Sequence, residues 1–221
     1  MMHSDAGERL ADILGSIGRT AGIAGRDAES IELVAVSKTF GVAAIAPLIA
    51  AGQRSFGENR VAEAQEKWPA LLAGTPGLRL HLIGQLQSNK AAEAVALFDV
   101  IHGVDRPSLV AALGKAMTAA EKWPDCFLQV NIGAEPQKGG CAIADTPALL
   151  TAARIAGLRV VGLMCVPPAG IEAAPFFALL QKLARQLALP QLSMGMSADY
   201  ETAVLLGATQ VRIGSALFGS R

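Results

Sequence analysis

Lysine is among the residue types least often buried. Yet in "LVAVSKTF" (33–40) an apolar, valine-rich run that reads as a buried strand leads straight into Ser37 and Lys38. A lysine at a strand end can carry its charge to water along its own aliphatic stem. Alternatively, partly desolvated, it presents a neutral amine able to attack an aldehyde. The second chemistry needs a neighbour that holds the aldehyde's owner, and the C-terminal stretch offers one. In "SMGMSADYETA" (193–203) Ser197 stands just before a helical segment, where an N-cap hydroxyl and free first-turn amides hold anions. In "RIGSALFG" (212–219) Gly214 and Ser215 end a strand and open a short helical turn. Each alone is an ordinary cap; on the last two strands of a barrel, the pair forms a phosphate cup. The stretch "GAEPQKGG" (133–140) lacks the GK[ST] ending of a nucleotide-binding P-loop.

Such a lysine and such a cup work only if the chain brings them together. Residues 5–24 read as an amphipathic helix, with Leu10, Ile13, Leu14 and Ile17 at helical spacing. Strands are expected at 31–37, 54–57, 78–84, 98–104, 126–132, 158–164, 190–194 and 209–214. Helical segments are expected at 42–51, 59–73, 88–97, 107–122, 145–156, 172–188 and 198–206. Gly157 and Gly207 fall where helix C-caps place glycine. Eight strands alternating with helices, without a Pro/Gly/Ser-rich linker, predict one (β/α)8 TIM barrel over 1–221 with an additional N-terminal helix. A doubly wound open sheet competes, but "KTFGVAA" follows the first strand where GxGxxG would be expected. In a barrel, strands one and eight are neighbours, and the C-terminal strand ends form the active-site mouth.

Composition excludes other classes. The 221 residues carry 19 basic and 19 acidic side chains, so net charge gives no reason to expect nucleic acid or an anionic membrane as partner. Three scattered cysteines without a CxxC pair argue against zinc and fit free thiols in a reducing compartment. The N-terminus has no apolar signal core, and "GVAAIAPLIAAG" (41–52) is too short to span a bilayer. A cytoplasmic monomer is expected.

An amine on strand one and a phosphate cup on strands seven and eight suggest an aldehyde-bearing phosphate ligand, pyridoxal 5′-phosphate (PLP). Arg212, two residues before Gly214, would point toward its ring. At these residues the chain resembles the YggS/PROSC-type pyridoxal-phosphate homeostasis proteins over nearly its whole length. The resemblance is carried by "LVAVSKTF", "FGENRVAEAQEK", "HLIGQLQSNK", "VNIGAEPQKGG", "GLMCVPP" and "LSMGMSADYETAVLLGATQVRIGSALFG". It implies the barrel of alanine racemase N-terminal domains, with PLP held covalently on Lys38 as an internal aldimine. It implies that Ser197, Gly214 and Ser215 hold the phosphate, that Ser193 and Met196 line the site, and that Arg212 faces the pyridine nitrogen. Asn59 would sit beside the ring and His81 on the barrel floor, where a purely structural histidine is the equal alternative. The chain departs from the family's usual pattern at "TFGVAA" after Lys38, at Arg60 after Asn59, at Gln85, and at "PQKGG", which puts any role of Lys138 in doubt.

An arginine opposite the pyridine nitrogen disfavours ring protonation and weakens the cofactor as an electron sink. Racemization also needs a second acid/base opposite the lysine. The related racemases supply a tyrosine from another domain; here the only tyrosine is Tyr200, and the chain ends at Arg221. The leading expectation is a protein that binds PLP without efficient catalysis, maintains its cellular supply, and so acts indirectly on amino-acid and keto-acid metabolism, with apo PLP enzymes as candidate recipients. A PLP-dependent amino-acid racemase and a cofactor-free Schiff-base aldolase are the alternatives.

Overall fold

Short β-branched runs alternate with Ala/Leu-rich segments along the chain, and each type takes the form its periodicity favours. The computed structural model describes residues 6–219. The strands are β1 (Glu32–Val36), β2 (Ser55–Glu58), β3 (Arg79–Leu82), β4 (Val100–Val104), β5 (Asp125–Gln129), β6 (Arg159–Met164), β7 (Gln191–Ser193) and β8 (Gln210–Ile213). They close in sequence order into an all-parallel barrel, sealed where Val34 of β1 lies opposite Arg212 of β8. The (β/α)8 reading is therefore correct, and strand eight lies beside strand one.

The helices are α1 (Ala6–Ile23), α2 (Val42–Ala50), α3 (Val61–Gly74), α4 (Ala91–Leu97), α5 (Pro107–Ala120), α6 (Thr146–Ile155), α7 (Ala174–Gln186), α8 (Tyr200–Leu205) and α9 (Ser215–Phe218). Gly157 and Gly207 follow α6 and α8 with φ of 77° and 95°, left-handed positions that glycine takes without a Cβ clash. Alternate strand residues divide between two cores. Leu33 and Ala35 join the large shell between sheet and helices, while Val100, Phe127 and Met164 form a small separate cluster.

The N-terminal helix α1 is an addition to the eight repeats, as expected. Leu10, Ile13 and Ile17 are buried, but Leu14 is exposed, so the apolar stripe is narrower than its sequence pattern. Polar ties dock α1 onto the C-terminal elements: Ser16 Oγ donates to the Glu201 carboxylate on α8, and Arg9 Nε donates to the Leu217 carbonyl in α9 at 2.6 Å. It thus braces the elements that follow β7 and β8.

Candidate functional site

A cavity of about 420 Å³ opens at the C-terminal mouth of the barrel, between the segments that follow β1, β7 and β8. That volume lies in the range of pockets for small organic ligands. Lys38, Met196, Ser197, Arg212, Gly214 and Ser215 all line it; Val36, Phe40 and Ile83 supply apolar wall. Phe40 stacks on Phe218 with ring centroids 4.6 Å apart, joining the β1 side of the cavity to α9.

Lys38 occupies the turn that leaves β1, and its side chain is exposed rather than partly desolvated. The turn is closed by a hydrogen bond from the Phe40 amide to the Ser37 carbonyl at 3.0 Å. Thr39, next to the lysine, has φ of 67°, a conformation that β-branched residues rarely adopt.

The wall formed by the segments after β7 and β8 differs in one respect from its sequence reading. Ser197 is not the N-cap of α8, which begins at Tyr200 with Asp199 ahead of it. The Asp199 carboxylate accepts from the Met196 amide at 2.6 Å, and the Asp199 amide donates to the Met196 carbonyl at 3.1 Å. Asp199 therefore ties the turn, and the Ser197 hydroxyl faces the β8 side, 3.5 Å from the amide of Ala216. The cup is built across two loops by the Ser197 hydroxyl and the opening of α9, whose first amides have no acceptor within their own helix.

Arg212 is 4% exposed. Both hydrogen bonds of its guanidinium go to neutral acceptors, Ser193 Oγ at 2.6 Å and the Cys165 carbonyl at 2.9 Å. Burial lowers its pKa, but a guanidinium stays charged in proteins. A buried cation at the cavity wall favours electron-rich groups on the ligand side.

Beneath Arg212 a chain of polar groups crosses the barrel interior. Ser193 lies below the cavity, not on its wall, and contacts His102 Nδ1 at 2.9 Å. His102 Nε2 is 3.1 Å from His81 Nδ1, and His81 Nε2 stands 3.5 Å from the Glu32 carboxylate. Since β4 and β7 are not neighbours, the His102–Ser193 contact must pass through the barrel. Burial, then His81 and Arg212, hold His102 well below its usual pKa, so the imidazole is neutral. One tautomer set satisfies the series: Arg212 donates to Ser193, Ser193 to His102, His102 to His81, and His81 toward Glu32. His81 is thus deep in the barrel and absent from the cavity wall.

Asn59 lines a neighbouring cleft with Gly84 and Gln85, not the Lys38 cavity. Gly84 explains the close fit there: a Cβ at that position would lie 2.3 Å from the Asn59 carbonyl oxygen. Lys138 donates to the Pro167 carbonyl and pairs with Glu135, and Lys90 pairs with Glu93; neither lines the cavity.

The alanine racemase N-terminal domain family matches residues 21–221 of the chain. A pyridoxal phosphate homeostasis protein of Pseudomonas aeruginosa is 42% identical over 99% of this chain and 96% of its own length. A protein of the same name from Escherichia coli is 38% identical over 99% and 97%. The chain belongs to the pyridoxal phosphate homeostasis protein family.

Solved structures agree with that placement. PipY of Synechococcus elongatus without PLP is 40% identical, with a TM-score of 0.86 over 96% of this chain and 99% of its own. PipY with PLP bound superposes with a TM-score of 0.80 over 92% and 100%. An alanine racemase of Clostridium difficile, at 13% identity and a TM-score of 0.74, shares the fold.

Sequence reading missed two groups in this family member. His102 reads in the sequence as one residue of the 98–104 strand, although a histidine at an inward strand position is a signal in itself. The other group surrounds Lys67. Glu58 is fully buried, and its Oε1 accepts from Ser37 Oγ at 2.7 Å, from Trp68 Nε1 at 3.0 Å and from Lys67 Nζ at 2.7 Å. All four residues belong to, or adjoin, the stretches "LVAVSKTF" and "FGENRVAEAQEK". The three cysteines are free and buried, and burial pushes Cys126 and Cys165 up to about 12, leaving them inert thiols. Among the described residues no His, Cys, Asp and Glu group could hold a metal, and no helix is long and apolar enough to cross a membrane.

Proposed function

We propose that this chain binds pyridoxal 5′-phosphate, linked covalently through Lys38, and maintains the cofactor's supply without efficient catalysis of its own. One observation carries this reading: Lys38, the only lysine on the cavity wall among the described residues, shares one ligand-sized space with the Ser197–Ser215 cup and with buried Arg212. The residues fit the group. Ser197, Gly214 and Ser215 would hold its phosphate, Arg212 would address the ring nitrogen, Val36, Phe40 and Ile83 would flank the ring, and Met196 would cover it. When bound, PLP supplies an aldehyde that condenses with an amine, with its carbonyl oxygen leaving as water. The names of the relatives and the PLP-bound state of PipY support the assignment.

The cytoplasm as its place, a monomeric state and apo PLP enzymes as recipients belong to the same proposal. Catalysis of racemization would need a second acid/base over the open face of the ring. Tyr200 packs against the core from α8, and His81 lies deep in the barrel; neither lines the cavity. Titrating the purified protein with PLP should produce a visible absorption band that Lys38→Ala abolishes. A wild-type protein that leaves the spectrum of added PLP unchanged would overturn the reading. Exchange of amino-acid α-protons with deuterium solvent, above the rate of free PLP, would favour the racemase instead.

A further inference from the structure

A strained turn that presents a reactive side chain needs something to hold it. The Ser37–Phe40 turn is held from outside the cavity by α3. Lys67 Nζ donates to the Ser37 carbonyl and to the Phe40 carbonyl, each at 3.1 Å, so one ammonium bridges the two residues that flank Lys38 and Thr39. Glu63 Oε1 accepts from the Thr39 amide at 2.6 Å and from Lys67 at 2.8 Å. Buried Glu58 anchors the far side of Lys67 at 2.7 Å and also takes the Ser37 hydroxyl. Every polar backbone group on the outer side of the turn named here thus ends on one ion cluster, formed by the end of β2 and the first two turns of α3.

We propose that Lys67 and Glu63 are positioning residues that fix the Lys38 backbone, so that its amine reaches a ligand's aldehyde carbon while the cup holds the phosphate. The claim rests on the PLP reading above and deepens it. Glu63 and Lys67 do not line the cavity, so their effect reaches the ligand only through the turn. With Thr39 at φ 67°, release of its amide from Glu63 and of the flanking carbonyls from Lys67 frees the turn to relax toward common backbone angles. The amine then loses its set distance from the cup, although the cup itself is untouched.

Two ligands separate these effects. Pyridoxine 5′-phosphate has the same ring and phosphate but an alcohol in place of the aldehyde, so it reports the cup alone. PLP reports the cup and Lys38 together. Glu63→Ala leaves the buried Glu58–Lys67 pair in place, and Lys67→Met combined with Glu58→Gln leaves no buried charge alone. Both should keep the wild-type far-ultraviolet circular dichroism and bind pyridoxine 5′-phosphate as the wild type does. Their PLP affinity should fall by roughly tenfold, the scale of one charge-assisted hydrogen bond lost. Glu63→Gln, which retains an acceptor for the Thr39 amide, should recover most of that loss. Equal losses for both ligands, or no loss for PLP while borohydride still traps it on wild-type Lys38, would overturn the clamp alone. A wild-type chain that binds both ligands equally and carries no Lys38 adduct would overturn the PLP reading, and the clamp with it.

Discussion

At the scale of single residues, the cavity wall carries an exposed amine, Lys38, and a buried guanidinium, Arg212. Lys38 was legible because a lysine at a strand end conflicts with the apolar run before it. Ser197 was legible as a residue of the site but not as placed: it lines the cavity, while Asp199 takes the turn, and local spacing alone does not say which of two polar residues wins a backbone amide. Arg212 depends on groups below it. Ser193→Ala would strip one of its two acceptors and leave His102 Nδ1 without a partner. A buried donor left unsatisfied costs about 1–3 kcal/mol. Urea denaturation should therefore show a lower midpoint with an unchanged slope; a midpoint equal to wild type would mean that water replaces the hydroxyl at no cost.

At the scale of elements, the sequence revealed the repeats better than their contacts. The eight strands fell within a few residues of their expected positions, because short β-branched runs between caps leave little choice. What it hid was convergence. Glu63 and Lys67, four residues apart on α3, have the spacing of an ordinary surface pair, and nothing in that spacing shows that the β1 turn lies against them. The same holds for α1, whose amphipathic pattern announces a buried face without naming what it covers. The structure shows it against α8 and α9. Ile17, 2% exposed, should make that docking measurable. Ile17→Ala is expected to cost about 2–5 kcal/mol, as large-to-small core changes do. A loss below about 1 kcal/mol in chemical denaturation would show that α1 contributes little to holding the barrel.

At the scale of the whole molecule, the barrel separates a ligand mouth from a charged opposite end, and a polar chain joins them. Glu32 lies at that opposite end. Burial alone would raise its carboxyl, but His81, the Ser55 hydroxyl at 2.5 Å and Arg79 prevail and bring it down to about 2. An unfolded glutamate titrates near 4.3, so the folded state binds its proton less readily. The resulting stability is present above that unfolded value and is lost as pH falls toward about 2. Its size is on the order of 3 kcal/mol, at 1.36 kcal/mol per unit. Glu32→Gln should be less stable than wild type at neutral pH, with the difference shrinking between about pH 4.5 and 2. Parallel denaturation curves across that range would contradict the assignment.

The central claim concerns a bond at one nitrogen. Reduction of the PLP-loaded protein with borohydride, followed by peptide mass mapping, should place the pyridoxyl phosphate mass on the peptide that carries Lys38. Label found chiefly on Lys90, Lys138 or another lysine, with Lys38 unmodified, would contradict the account.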